Sequence, residues 1–222
     1  ERIDANLLDV TMEDLHDMPQ QLYEGKISKL REKTQGQLVI KEYPTASAHS
    51  GHFKSLMNEL ALKKSFRPDV IFIDYLNICA SSRFKGGNIS SYFYVKAIAE
   101  ELRGLAVEFN VPIFSATQTT RTGYVSTDIG LEDTSESFGL PATADFMFAL
   151  ISNEELEALG QMKVKQLKNR YNDPSVNRAF IIGVDRAKMR LYDVQQASQN
   201  IVDANQTDEK EDAYNKFSDF KL

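Results

Sequence analysis

The chain has no tryptophan, one cysteine and three histidines among its 222 residues. A single thiol, Cys79, excludes an internal disulfide framework and suits a reducing compartment such as the cytoplasm. The apolar runs are only strand-length, so none can cross a bilayer as a helix. Residues 1–20 are acidic and amphipathic rather than basic and then apolar, so they do not read as a signal peptide. His16, His49 and His52 lack metal-ligand spacing and read as surface residues; no Ser/His/Asp or Cys/His arrangement stands out. Bases are also in deficit: 26 against 32 acids gives a net charge of −6. Composition therefore offers no positive evidence for nucleic acid, although a few loop bases lining a channel can serve an acidic protein. The sequence lacks an initiator Met, and residues 1–10 read as the middle of a helix, so a piece of a longer chain is expected.

What remains is the composition of an ordinary globular protein, enough for one substantial domain with a tail. Ile3, Leu7 and Leu8 have helical spacing, Thr11 can cap a second helix, and Pro19 suits the first turn of a third. Residues 37–43 read as a strand closed by Pro44, and residues 52–64 as a helix. Buried strands are expected over 70–76, 111–117 and 146–151. The clearest helix runs from Tyr94 to Phe109, and a short one, interrupted by Pro141, is expected over 134–144. Residues 163–168, 179–184 and 189–194 alternate and read as antiparallel strands, with Asn172-Asp173-Pro174 as one turn. An α/β half followed by an antiparallel end is the layout of a RecA-like motor domain. The expected division is a partial motor domain over 1–195 and an acidic, disordered tail over 196–222.

Two strand ends carry the chemistry. Asp74 closes the run Val70-Ile71-Phe72-Ile73, and Gln118 closes Val111-Pro112-Ile113-Phe114-Ser115-Ala116-Thr117. In α/β folds ligands bind at the carboxyl ends of such strands. A carboxylate there can hold magnesium on a nucleotide phosphate, and a neutral amide can donate to a phosphate oxygen while accepting from water. Either residue alone reads equally as an exposed strand end. Lys168 and Arg170 share one face of a strand and could stabilise charge on a phosphoryl group; by spacing alone they read as a solvated edge. Arg83, Lys85 and Arg121 sit in the loops after the first two buried strands and could contact a nucleic-acid backbone, or be ordinary loop charge. Tyr214, Phe217 and Phe220 in the acidic tail suggest a docking motif that orders on binding.

Four blocks together resemble the motor domain of DnaB-type replicative helicases, in particular the T-even-phage type. Ile3-Asp4-Ala5-Asn6 looks like the helix after the catalytic glutamate, and Ile71 to Leu76 like the Walker B strand. Glu101 to Arg121, ending in Gln118…Arg121, resembles the next helix and strand, and Lys168-Asn169-Arg170-Tyr171 the fourth motif. The resemblance implies an ATP- and Mg2+-dependent 5′-to-3′ DNA helicase, of which this is the carboxyl-terminal part. Asp74 would bind magnesium and Gln118 would sense the γ-phosphate. Arg170 would be an arginine finger acting in trans, with Lys168 beside it. The loops would line the channel of a hexameric ring and track single-stranded DNA. Primase, a helicase loader and a cytoplasmic setting, that of the host cell if phage-encoded, are implied with it.

The sequence also departs from that pattern. No Gly-x-x-x-x-Gly-Lys-Ser/Thr loop occurs in these residues, and the water-activating glutamate should lie upstream of Glu1. The 222 residues by themselves are therefore expected not to hydrolyse ATP. The missing phosphate-loop strand should leave an apolar gap in the sheet and a poorly soluble fragment. A RecA-type recombinase or related ring ATPase shares both strand ends. A phosphoacceptor receiver module is mimicked by Pro68 to Asp74, but its acidic pair is absent, and Ile151-Ser152-Asn153 stands where it needs Lys-Pro.

Overall fold

A computed structural model describes residues 1–84, 89–119, 130–131, 139–173 and 176–194. In chain order the described elements are α1 (Arg2–Leu8), α2 (Met12–Asp17), α3 (Gln20–Lys33), α4 (Ser50–Lys64), β1 (Ile71–Ile73), a 3-10 turn (Leu76–Ile78), α5 (Ser91–Phe109), β2 (Ile113–Ser115), α6 (Gly139–Thr143), β3 (Phe146–Ile151), α7 (Glu154–Ala158), β4 (Gln161–Asn169), β5 (Ala179–Asp185) and β6 (Arg190–Asp193). The strands form a pair, β1–β2, and a four-stranded sheet in the order β3–β4–β5–β6. The chain divides into two compact units, one of residues 40–148 and 167–176, the other of 1–39, 149–166 and the described residues from 177 onward.

In the first unit, β1 and β2 run parallel with Ile71 opposite Ile113 and Ile73 opposite Ser115. A parallel pair needs a long crossover, and α5 supplies it. Val95, Ile98, Ala99, Leu102 and Leu105 recur at helical spacing and are buried. With Leu76, Cys79 and Leu140 most of this stripe forms the core, against which Phe53, Ile73 and Met147 pack. Asn110 ends α5 in the left-handed region at φ 52°, its amide returning to Ala106 and Val107, and Pro112 prevents continuation. Pro141 lies within the described part of α6 and is buried there. Of the helix expected over 134–144, residues 134–138 lie outside the described residues and Ala144 is already past its end.

Three expectations change. The strands ending near Asp74 and Gln118 are three residues long and are covered on one face only: Phe72 and Phe114 stack on the other, with centroids 5.3 Å apart and exposures of 73% and 48%. Phe146, Phe148 and Leu150 of β3 are likewise exposed while Ala149 and Ile151 are buried. Residues 37–43 form no strand; without a partner among the described residues to take their backbone groups, Leu38 and Ile40 remain over 60% exposed. His49 and His52 are more than surface residues, because together they cap α4: Nδ1 of His49 accepts from Gly51 N and Nδ1 of His52 accepts from His49 N.

In the second unit, Thr11 caps α2 by accepting from Asp14 N, as its sequence position suggested. The antiparallel strands pair Gln161 with Gly183 and Gly183 in turn with Tyr192. A Cβ on Gly183 would run into the Tyr192 ring, so glycine leaves room for that ring across the strand. The turn between β5 and β6 holds α1 in place: Asn6 Nδ2 donates to Met189 O, and Asp9 pairs with Lys188 and Arg190. The tail, with Tyr214, Phe217 and Phe220, lies outside the described residues.

Candidate functional site

The carboxyl ends of β1 and β2 are held together well past their short ladder. Ser115 Oγ donates to Ile73 O at 2.8 Å, Leu76 N to Ala116 O at 3.1 Å, and Thr117 Oγ1 to Asn77 Oδ1 at 2.8 Å. Gln118 Nε2 then reaches the Tyr75 hydroxyl at 3.3 Å, beside a cis Asp74–Tyr75 peptide. The two sequence-selected residues thus lie at the same ends of neighbouring parallel strands. Asp74 is exposed and has no hydrogen-bond or ion-pair partner among the described residues. A carboxylate without partners can bind a hard cation without first breaking a contact. No cluster of three His, Cys, Asp or Glu occurs among the described residues. Magnesium characteristically needs only one or two protein carboxylates, with phosphate and water filling the rest. Asp74 fits that mode.

Lys168 and Arg170 form a second group, bonded to α6 and the residues after it. Lys168 Nζ donates to the carbonyls of Pro141 and Ala142. Arg170 Nη2 donates to Ala142 O at 2.7 Å, and its Nη1 lies 3.0 Å from Asp145 Oδ1. Carbonyls at a helix carboxyl end are natural partners for cations. Burial first, then the nearby Arg170 charge, holds the Lys168 ammonium below its ordinary pKa. Spacing alone suggested a solvated edge; instead both side chains are committed to specific acceptors.

Arg83 pairs with Glu100 at 2.6 Å. Its loop is anchored at the base by Glu101, which accepts from Ser50 Oγ, Ser81 Oγ, Ser82 Oγ and the amides of Ser82 and Arg83. Burial pushes the Glu101 carboxyl up, but the hydroxyls of Ser81 and Ser82, the Ser82 amide and the Ser50 hydroxyl together outweigh it and bring it down to about 2. Lys85 and Arg121 lie outside the described residues. Glu101, Arg103 and Asp145 escaped the sequence reading. The first two look like ordinary polar positions on the exposed side of α5, and only folding brings their partners to them.

No protein-family model matches the sequence. A DnaB-like replicative helicase of Enterobacteria phage T4 is 46% identical over 200 residues, which are 89% of this chain and 42% of that protein. The chain thus spans less than half the length of this relative. Among solved structures, an isolated ATPase domain superposes with a TM-score of 0.69 at 16% identity, over 87% of this chain and 69% of that one. A DnaB-like replicative helicase described with its interactions with primase gives 0.68 at 16% identity, over 87% and 47%. Over nearly nine tenths of its length, the chain is therefore a relative of part of a DnaB-like replicative helicase, and its α/β fold is that of such helicases' RecA-like ATPase domains.

Proposed function

We propose that these residues form part of the motor of an ATP-driven replicative DNA helicase. The observation that carries the reading is Asp74, exposed and unpartnered among the described residues, at the same end of a parallel strand pair as Gln118, which bonds to the adjoining Tyr75, in a chain 46% identical to a replicative helicase over 200 residues. In this reading Asp74 holds Mg2+, which supplies charge neutralisation on the bound triphosphate. Gln118, already donating a hydrogen bond to Tyr75, can turn that amide toward a γ-phosphate oxygen. Arg170, with Lys168 beside it, is offered in trans to the nucleotide of a neighbouring subunit, which requires that subunits assemble side by side. Arg83, Lys85 and Arg121 contact single-stranded DNA. A hexamer, 5′-to-3′ movement, and primase and loader partners complete the proposal.

The test is ATP-dependent strand separation of a forked duplex by the complete gene product, with Asp74→Asn as the control variant. Unwinding that survives Asp74→Asn removes the metal assignment. ATP hydrolysis without strand separation favours the second reading, a RecA-type recombinase, which shares both strand ends. The 222 residues alone should show no ATP hydrolysis above background.

A further inference from the structure

We propose that Asp145 is the positioning residue that aims Arg170, and that Arg103 of α5 sets how firmly it does so. The inference rests on the reading of Arg170 as a group offered to a phosphoryl anion. Asp145 follows α6 and directly precedes β3. Its carbonyl accepts from Arg170 N at 3.0 Å, so the main chains of the two residues are already fixed to each other. Its Oδ1 then takes Arg170 Nη1 at 3.0 Å while Ala142 O takes Nη2 at 2.7 Å. Two acceptors on two guanidinium nitrogens fix the plane of the group, which a single contact does not. Of the five N–H donors of a guanidinium, the contacts among the described residues use two, which leaves three for an incoming anion.

The same oxygen, Asp145 Oδ1, also accepts from Arg103 Nη1 at 2.8 Å, and Arg103 Nη1 donates to Thr143 O at 2.6 Å. One carboxylate is therefore shared by two arginines, with Lys168 on the adjacent carbonyls. Among the described residues of this cluster, three cations against one acid leave a local excess of two positive charges. Such a cluster favours a multiply charged anion, and the side chains of Arg103, Asp145 and Arg170 are 35–43% exposed, so it is open to one. Arg103 also lies within one turn of Glu100 and Glu101, which hold Arg83 and the serines at the base of its loop. A displacement of that turn of α5 changes the competition for Asp145 and with it the placement of Arg170.

The experiment measures DNA-stimulated steady-state ATP hydrolysis by the complete gene product, separating kcat from KM, for Asp145→Asn, Asp145→Glu, Arg170→Ala and the double variant Asp145→Asn/Arg170→Ala. A mis-aimed group about 1 Å from its place costs on the order of 100-fold. Asp145→Asn should lower kcat about 10- to 100-fold with KM for ATP within about 3-fold, and Asp145→Glu should fall between it and the parent. In the Arg170→Ala background, Asp145→Asn should change kcat no further, because its effect passes through the guanidinium. Unchanged or raised kcat in Asp145→Asn overturns the inference, a rise marking Asp145 as a latch instead. A further fall in the Arg170→Ala background also overturns it. Where Asp145→Asn fails to assemble, Asp145→Glu decides by the same criteria. Normal hydrolysis by Arg170→Ala is a distinguishable outcome: it removes the assignment of Arg170 and the positioning role that rests on it, whereas a loss in Arg170→Ala with normal kcat in Asp145→Asn overturns the positioning role alone.

Discussion

Asp74 and Glu101 are carboxylates in the same compact unit, and their surroundings are opposite. Asp74 ends a strand with no partner among the described residues, whereas Glu101 gathers three hydroxyls and two amides. The first is left open at a folding cost close to nothing, because an exposed charge keeps its water. The second, only partly buried, has exchanged water for fixed donors, and an acceptor satisfied in that way ties two segments of chain together. An acid that a fold leaves unsatisfied at a strand end is available to a ligand; an acid that a fold saturates is architecture. Arg170 lies between these extremes, partly committed and partly free.

Four experiments would break or sharpen that contrast. The largest effect is expected for Arg170→Ala in the complete gene product: DNA-stimulated ATP hydrolysis falls by about 1,000-fold or more, while nucleotide binding, measured by fluorescent-analogue titration, is largely kept. Mixing it with Asp74→Asn subunits should recover part of the activity, because each variant spares what the other lacks. Next, Asp74→Asn should lower hydrolysis by on the order of 100-fold, with the thermal midpoint nearly unchanged since the carboxylate stabilises nothing; a large drop in midpoint would erase the distinction from Glu101.

Glu101→Gln should reverse that pattern, costing about 2 kcal/mol of stability in urea denaturation. Its carboxyl is depressed from 4.5 to about 2, so the charge-linked stability is fully present above pH 4.5 and is lost as pH falls toward 2. The gap between parent and Glu101→Gln should therefore narrow between pH 5 and pH 2, and a gap independent of pH contradicts the account. The smallest effect belongs to Arg83→Ala, whose pairing with Glu100 is half-exposed. Stability should move by under about 0.5 kcal/mol, and the slope of log affinity for single-stranded DNA against log salt should shrink by about 0.7, one single-strand phosphate contact.

The helices were legible because their patterns are local. The spacing of Val95, Ile98, Leu102 and Leu105 needs only the helical repeat to be read, and Thr11 caps with a donor three residues away. The strand ends at Asp74 and Gln118 were legible because each apolar run stops at a polar residue. The face of the sheet bearing Phe72 and Phe114 was not, since an apolar run looks the same whether one side of it is covered or both. The segment 37–43 failed for a related reason: strand propensity says nothing about whether a partner exists.

The sequence by itself determined most of the succession of helices and strands, the strand of 37–43 excepted, the positions of Asp74, Gln118, Lys168 and Arg170 along it, and the absence of a phosphate loop in these residues, all of which are properties of neighbours along the chain. Only the tertiary structure decided which charges are spoken for. Glu101 meets Ser50 across 51 positions, and Asp145 meets Arg103 and Arg170 across 42 and 25. The strength of a hydrogen bond or an ion pair depends on distances in space between groups far apart along the chain, and those distances exist only once the core of α5 has closed.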